Sequence, residues 1–258
     1  MTVPARIWTV VRSLLIPAAL LGTWELLSRG GAAATYAFVP LRQVATAART
    51  ALSNGELIGN LIASAEHACL GLVAGGLAGL LLGACLGASR ICDRILGPLF
   101  HGLRQVPLLG LAPLIGLSFG NGAGAKLLVI ALAAFYPVAL ATAGGVRNVE
   151  RAHLELGRAL TLDRRQVFRH ILLPAAAPAI ASGFLQALAF AWLATIGSEL
   201  LFTASAGLGS FMQQAEANGR MEMVIVGITA IALVGLAMNG LVIRAVHWLL
   251  PWHAVEQK

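Results

Sequence analysis

Charged residues are scarce in this chain: they make up 11% of its 258 residues, where a soluble domain carries about a quarter. Aspartate occurs only as Asp93 and Asp163, and no His-Glu-x-x-His stretch is present. An intramembrane enzyme, which would need such a zinc helix or paired intramembrane aspartates, is therefore a remote reading. Cys69, Cys85 and Cys92 lack metal-ligand spacing and imply no disulfide framework. The first two read as small hydrophobes in apolar helix. A glycine run, Gly120-Asn121-Gly122-Ala123-Gly124, leads into Ala125-Lys126 without the Gly-Lys-Ser/Thr ending of a phosphate loop. The chain has no nucleotide site of its own and no metal site.

What the chain has in abundance is apolar sequence, at 58% hydrophobic residues and a mean hydropathy of +0.82. Runs near the roughly 20 residues needed to cross a bilayer occupy Ile7–Ser28, Leu57–Ser89, Ile95–Phe119, Leu127–Val146, Ala175–Phe202 and Met221–Val246. The expectation is an all-α membrane protein with about six transmembrane helices. The first run is too long for the core of a cleaved secretory signal, which spans about 7–15 residues. The net charge of +7 follows the membrane rather than a nucleic acid. If the loop from Glu150 to Pro174 faces the cytoplasm, most of the basic residues do too, and both termini join them. Arg29, Arg42, Arg49, Lys126 and Arg220 then lie on the opposite side.

Two spans have unusual composition. The second holds Gly71, Gly75, Gly76, Gly79, Gly83 and Gly87, small residues that let helix backbones approach within lipid. The third contains Pro98, Pro107 and Pro113, which bend or break a helix and at membrane depth mark a cavity lining. Between the first two spans, residues 30–56 read as an external connector with one interfacial helix.

The segment Glu150–Pro178 is the one long charged stretch. Arg151, Arg158, Arg164, Arg165 and Arg169 crowd into it, just after Arg147. Asp163 and Gln166 have the spacing of a capping box. Val167, Phe168, Ile171 and Leu172 then form an apolar stripe about two turns long, and Pro174 is expected to end that helix at Leu173. Upstream, 150–159 reads as a second short helix with Asn148 as its N-cap. The hairpin has two readings: an interfacial element whose arginines attract lipid headgroups, or a docking element for a cytoplasmic partner. Periodicity does not separate them.

Residue identities add a resemblance. The loop of permease subunits in bacterial ABC importers has the pattern E-A-A, three residues, G, nine residues, I, one residue, L-P. Here Glu155, Ile171, Leu173 and Pro174 match in register, Leu156 and Gly157 replace the alanines, and Thr161 replaces the glycine. A threonine there suggests an ordinary rather than a left-handed turn. Leu103–Gly120 (LRQVPLLGLAPLIGLSFG) and Ala191–Met212 (AWLATIGSELLFTASAGLGSFM) are similar to segments of the sulfonate, taurine and nitrate branch of that superfamily, the second matching at Glu199 and Gly207-Leu208-Gly209.

The resemblance implies a type I ABC importer permease fold with cytoplasmic coupling helices. It also implies one transmembrane permease domain over residues 1–258, comprising an N-terminal helix and external connector (1–56) and a core (57–248) with a coupling loop (147–174). Such a subunit forms the path for a small anionic solute and pairs as a permease homodimer in the bacterial inner membrane. Cytoplasmic ABC ATPase subunits dock on the loop through Glu155, Leu156, Gly157, Thr161, Ile171, Leu173 and Pro174, and an external binding protein delivers the solute. ATP and Mg belong to the partner ATPase; this chain binds no cofactor and is not an enzyme. An ion-coupled secondary transporter is the alternative, against which stand the lack of a repeat between halves and of a midplane carboxylate cluster.

Charges inside spans are costly and mark candidate function. Glu66 and His67 could face a wet vestibule or pair with each other. Arg104 could bind an anionic substrate or anchor a buried carboxylate, and the second reading is preferred. Glu199 ends a span, where a carboxylate is usually solvated, yet its motif match points to the external gate. These four are the candidate translocation-path residues. Glu25, near the outer end of the first span, reads as interfacial.

Overall fold

The computed structural model describes residues 3–30, 38–149, 155, 161–202 and 206–249, nearly all of them helical. The helices are α1 (Val3–Leu27), α2 (Leu41–Ser53), α3 (Glu56–Ala88), α4 (Arg90–Leu103), α5 (Ala112–Phe119), α6 (Ala123–Arg147), α7 (Arg164–Val167), α8 (Leu173–Leu201), α9 (Leu208–Ala217) and α10 (Met221–Leu249). Among the described residues, α3, α6, the helical run Arg165–Leu201 and α10 are long and apolar enough to cross a membrane. The pair α4 and Leu108–Phe119 makes a fifth span, bent by 82°. With α1, whose 25 residues include the shorter apolar stretch Leu15–Leu27, the number comes to about six. The chain packs as two units, residues 1–58 with 211–229 and residues 59–210 with 230–258.

In the first unit, the connector helix expected between the first two spans is α2. Pro40 precedes it and supplies no side-chain cap. The Glu25 carboxylate takes that role, accepting the backbone N–H of Leu41 at 3.1 Å, where the helix dipole favours negative charge. Trp24 Nε1–H donates to the Val39 carbonyl at 2.9 Å, and its ring meets Phe38 edge to face. Glu25 is thus a cap for the connector rather than a merely interfacial residue.

In the second unit, the glycines of α3 lie against the backbone of α6. A Cβ at Gly75 would stand 1.9 Å from the Ala131 carbonyl oxygen, at Gly79 2.6 Å from that of Phe135, and at Gly83 2.4 Å from that of Ala139. Each step is four residues on both helices, so one row of glycines rides on one row of carbonyls. The expectation that this span is packed against a neighbour holds. Helices α6 and α8 also pack along each other, with Gly145 beside Ala176 and Ala179, and Gly183 against Ala141. Val129, Ile130, Ala134, Val138, Ala187, Ala191 and Ala194 form the core.

The third span is broken as its prolines suggest. Helix α4 stops at Leu103; Arg104 to Pro107 are non-helical; a 3-10 turn, Leu108–Leu111, leads into α5. Pro107 has no N–H to give to Leu103 and its ring would crowd that carbonyl, so the chain turns there. Gly120 then closes α5 at φ 76°, a conformation open to glycine. Ser89 caps α4 by accepting the N–H of Cys92 at 3.3 Å. Across that turn the Cys85 and Cys92 thiols lie 2.8 Å apart, so these two cysteines are neighbours rather than isolated fillers.

Candidate functional site

Two polar assemblies stand out in an otherwise apolar second unit, one at each end of α6. At the end where α6 begins, the side chain of Glu199 is fully buried. Ser64 Oγ lies 2.8 Å from both carboxylate oxygens, Gly209 N–H donates to Oε2 at 2.9 Å, and His67 Nδ1 lies 3.3 Å from Oε1. Ser64 Oγ in turn accepts Leu208 N–H at 2.8 Å, and Asn60 Oδ1 accepts Gly207 N–H at 2.9 Å. One carboxylate therefore ties α3, the end of α8 and the start of α9 together. Gly207 is required by space: a Cβ there would fall 2.2 Å from the Glu199 carboxyl carbon. Lys126, in the first turn of α6, is buried as well and its ammonium interacts electrostatically with Glu199. A carboxylate at this depth is tolerable because hydrogen bonds and a cation replace water.

Two expectations change here. Glu199 is not a solvated helix-end carboxylate. His67 pairs with Glu199 rather than Glu66, which is exposed on another face of α3. Asn60 and Ser64 were not singled out in the sequence, although with His67 they share the four- and three-residue spacing of one helix face.

At the opposite end of α6 lies the charged loop. Glu155 is helical and exposed; Leu156 and Gly157, like the rest of the expected 150–159 helix, fall outside the described residues. The capping box is formed: Gln166 N–H donates to Asp163 Oδ1 at 2.7 Å, and Asp163 N–H donates to Gln166 Oε1 at 2.9 Å. Val167, Phe168, Ile171 and Leu172 are half-buried while Arg165 and Arg169 are exposed, as the amphipathic reading requires. The turn residue Thr161 has φ 52°. It therefore occupies the left-handed region that the threonine was expected to avoid, and is the only non-glycine among the described residues with positive φ. The loop keeps the glycine-type turn while carrying a β-branched side chain, at a steric cost of about 1–2 kcal/mol.

Pro174 does not end the helix either. A π-helical turn, Phe168–Leu172, takes up the missing N–H, with Leu173 N–H bonding to the Phe168 carbonyl, and α8 continues from Leu173. Ile171 sits within this turn; Leu173 and Pro174 are exposed at the first turn of α8. Widened turns of this type recur at functional positions. Nearby, Arg147 at the end of α6 pairs with Asp93 at the start of α4 and donates to the Leu86 carbonyl at 3.0 Å. A polar groove of about 470 Å³ joins these residues to Leu172.

Arg104 lies in the break of the third span, exposed, beside an apolar groove of about 380 Å³ between that break, α6 and α8. Among the described residues no carboxylate lines the groove, so the preferred anchoring role is not what is found.

Residues 75–252 match the profile of a family described as binding-protein-dependent transport system inner membrane component. The chain belongs to that family. Among relatives of this permease family, SsuC of Bacillus subtilis (strain 168), named for the transport of aliphatic sulfonates, is 35% identical over 94% of this chain and 87% of its own length. The nitrate import permease protein NrtB of Leptolyngbya laminosa is 32% identical, covering 86% and 81%. The taurine transport system permease protein TauC of Escherichia coli (strain K12) is 33% identical, covering 77% and 72%. In fold, the permease is similar to a chain of the inward-facing MetNI methionine ABC transporter, at a TM-score of 0.54 and 17% identity over 74% of this chain and 95% of that one. The type I importer architecture, the sulfonate, taurine and nitrate branch and an inner-membrane transport role all stand.

Proposed function

We propose that this permease forms the translocation path of an ATP-driven importer for a small anionic solute. Two copies would line the path, an external binding protein would deliver the solute, and two cytoplasmic ABC ATPase subunits would dock on the loop around Glu155 and Thr161. ATP and Mg are used by those partners, since this sequence has no phosphate loop. The names of the relatives support an anion, because sulfonate, taurine and nitrate all carry oxyanion groups.

The observation that carries the coupling role is continuity: the capped, amphipathic helix that begins at Arg164 runs through the π-turn into α8 without a break. A displacement of that helix is thereby applied to α8, whose far end holds Glu199 in the buried network. The hairpin end faces the cytoplasm on this reading, with both termini on the same side, as the distribution of arginine supports. Replacing Glu155 by Lys in the complex with the ATPase is expected to abolish co-purification or lower solute-coupled ATP hydrolysis at least tenfold. Unchanged assembly and coupling would overturn the docking role.

A further inference from the structure

We propose that Arg104 and the groove beside it form the anion-binding station of the path, taking a small organic anion by its charged end at Arg104 and its apolar body in the groove. The inference rests on the transport reading above and adds a site and a ligand class to it.

Depth is the first observation. Tyr136 and Pro137, which line the groove together with Arg104, lie halfway along α6, and Phe190 and Leu193 lie near the middle of α8. A guanidinium at mid-bundle is among the costliest groups to place in a membrane unless it meets water, a counter-charge or a ligand. Among the described residues, no carboxylate pairs with Arg104, whereas Arg29, Arg147 and Arg220 all have acidic partners. Its local support is the C-terminus of α4, whose final carbonyls favour a cation. That offsets only a minor part of the cost of an arginine at mid-membrane, so the rest falls to water or a ligand.

Chemistry is the second. A guanidinium offers a planar fork of donors that matches two oxygens of an oxyanion. The remaining lining is apolar apart from the Tyr136 hydroxyl. A volume of about 380 Å³ falls within the range of small-ligand pockets, roughly 300–1,000 Å³. An anion with no body would leave these walls unused, and a neutral body would leave the guanidinium unmatched. The site also lies at the Arg104–Pro107 break, and irregular backbone at membrane depth is tolerated where it lines a cavity.

The test uses the permease reconstituted with its ATPase and binding protein, and n-butanesulfonate as probe. Arg104→Gln is expected to lower ATP-driven uptake at least tenfold, and Arg104→Lys, which keeps the charge but loses the fork, to fall between Arg104→Gln and wild type. Leu193→Ala, which widens the groove, should shift preference from butanesulfonate towards octanesulfonate. Co-elution of each variant with the ATPase separates these effects from misfolding. Uptake by Arg104→Gln within twofold of wild type overturns the site. So does a deficit that vanishes in liposomes lacking anionic lipid, which would assign the arginine to headgroups. A wild-type complex that couples ATP hydrolysis to its binding protein yet imports neither sulfonate overturns the ligand class. Failure of the wild-type chain to bind any ATPase would instead sink the transport reading itself.

Discussion

Replacing Glu199 by Gln removes a charge while keeping almost the same shape, so its effect isolates what the carboxylate does. Ser64 Oγ and Gly209 N–H lie within 2.9 Å of its oxygens. With its oxygen in the Oε2 position the amide still accepts Gly209 N–H, but its NH₂ then faces His67 Nδ1 and Ser64 Oγ, and every bond that remains is to a neutral rather than a charged acceptor. Each hydrogen bond to a charged acceptor contributes about 1.5–3 kcal/mol, and breaking a buried ionic arrangement by removing one member costs about 3–5 kcal/mol. Lys126 is also left buried without the Glu199 charge, which favours a cost near about 4 kcal/mol on the same scale. At about 2–4 °C per kcal/mol for a chain of this size, the thermal midpoint in detergent should fall by roughly 8–16 °C. Adding Lys126→Met to Glu199→Gln should recover part of the loss, since the second substitution removes the buried cation whose charge Glu199 had balanced. A midpoint within about 2 °C of wild type, or strictly additive effects of the two substitutions, would refute the argument that Glu199 is the organising charge; that bound is set at about one kcal/mol.

Three further substitutions test the backbone contacts and the turn. Gly75→Ala drives a Cβ into the Ala131 carbonyl and should destabilise the chain by about 3 kcal/mol or more through overpacking. Gly59→Ala, on the same helix with open space around it, should gain up to about 1 kcal/mol of helix propensity; both are read by thermal melts, and equal effects would dismiss the backbone-contact reading. Thr161→Gly relieves the left-handed threonine and should stabilise the hairpin by about 1 kcal/mol net of the added backbone freedom. Slower amide exchange around Asp163–Gln166 would show this, and faster exchange would contradict it.

Much of this arrangement was legible in the sequence because it depends on local rules. The spans follow from uninterrupted apolar runs, the capping box from Asp163 and Gln166, the broken third span from Pro107, and the close approach of α3 from its glycines. What could not be read depends on contacts far apart in sequence. Glu199 looks like a helix-end carboxylate until Ser64, more than a hundred residues away, is placed beside it. The burial of Lys126 beside Glu199 is hidden for the same reason. Arg147, counted among the loop arginines, is occupied by Asp93. Thr161 and Pro174 misled for another reason: intrinsic preference argued for a relaxed turn and a helix stop, and the surrounding loop and the π-turn override both.

The row of glycines on α3 has a mechanical consequence. Where two helices meet through side chains, they can slide by exchanging rotamers. Gly75, Gly79 and Gly83 meet the carbonyls of α6 directly, with only the β-branched stems of Val138 and Thr142 beside them, so the seam has little side chain to rearrange. Any slip of one residue would put Leu or Ala carbons into backbone oxygens. Helices α3 and α6 should therefore travel as one stiff plank through the transport cycle, and bending is left to the parts that lack such a seam, foremost the hinge between Arg104 and Pro107.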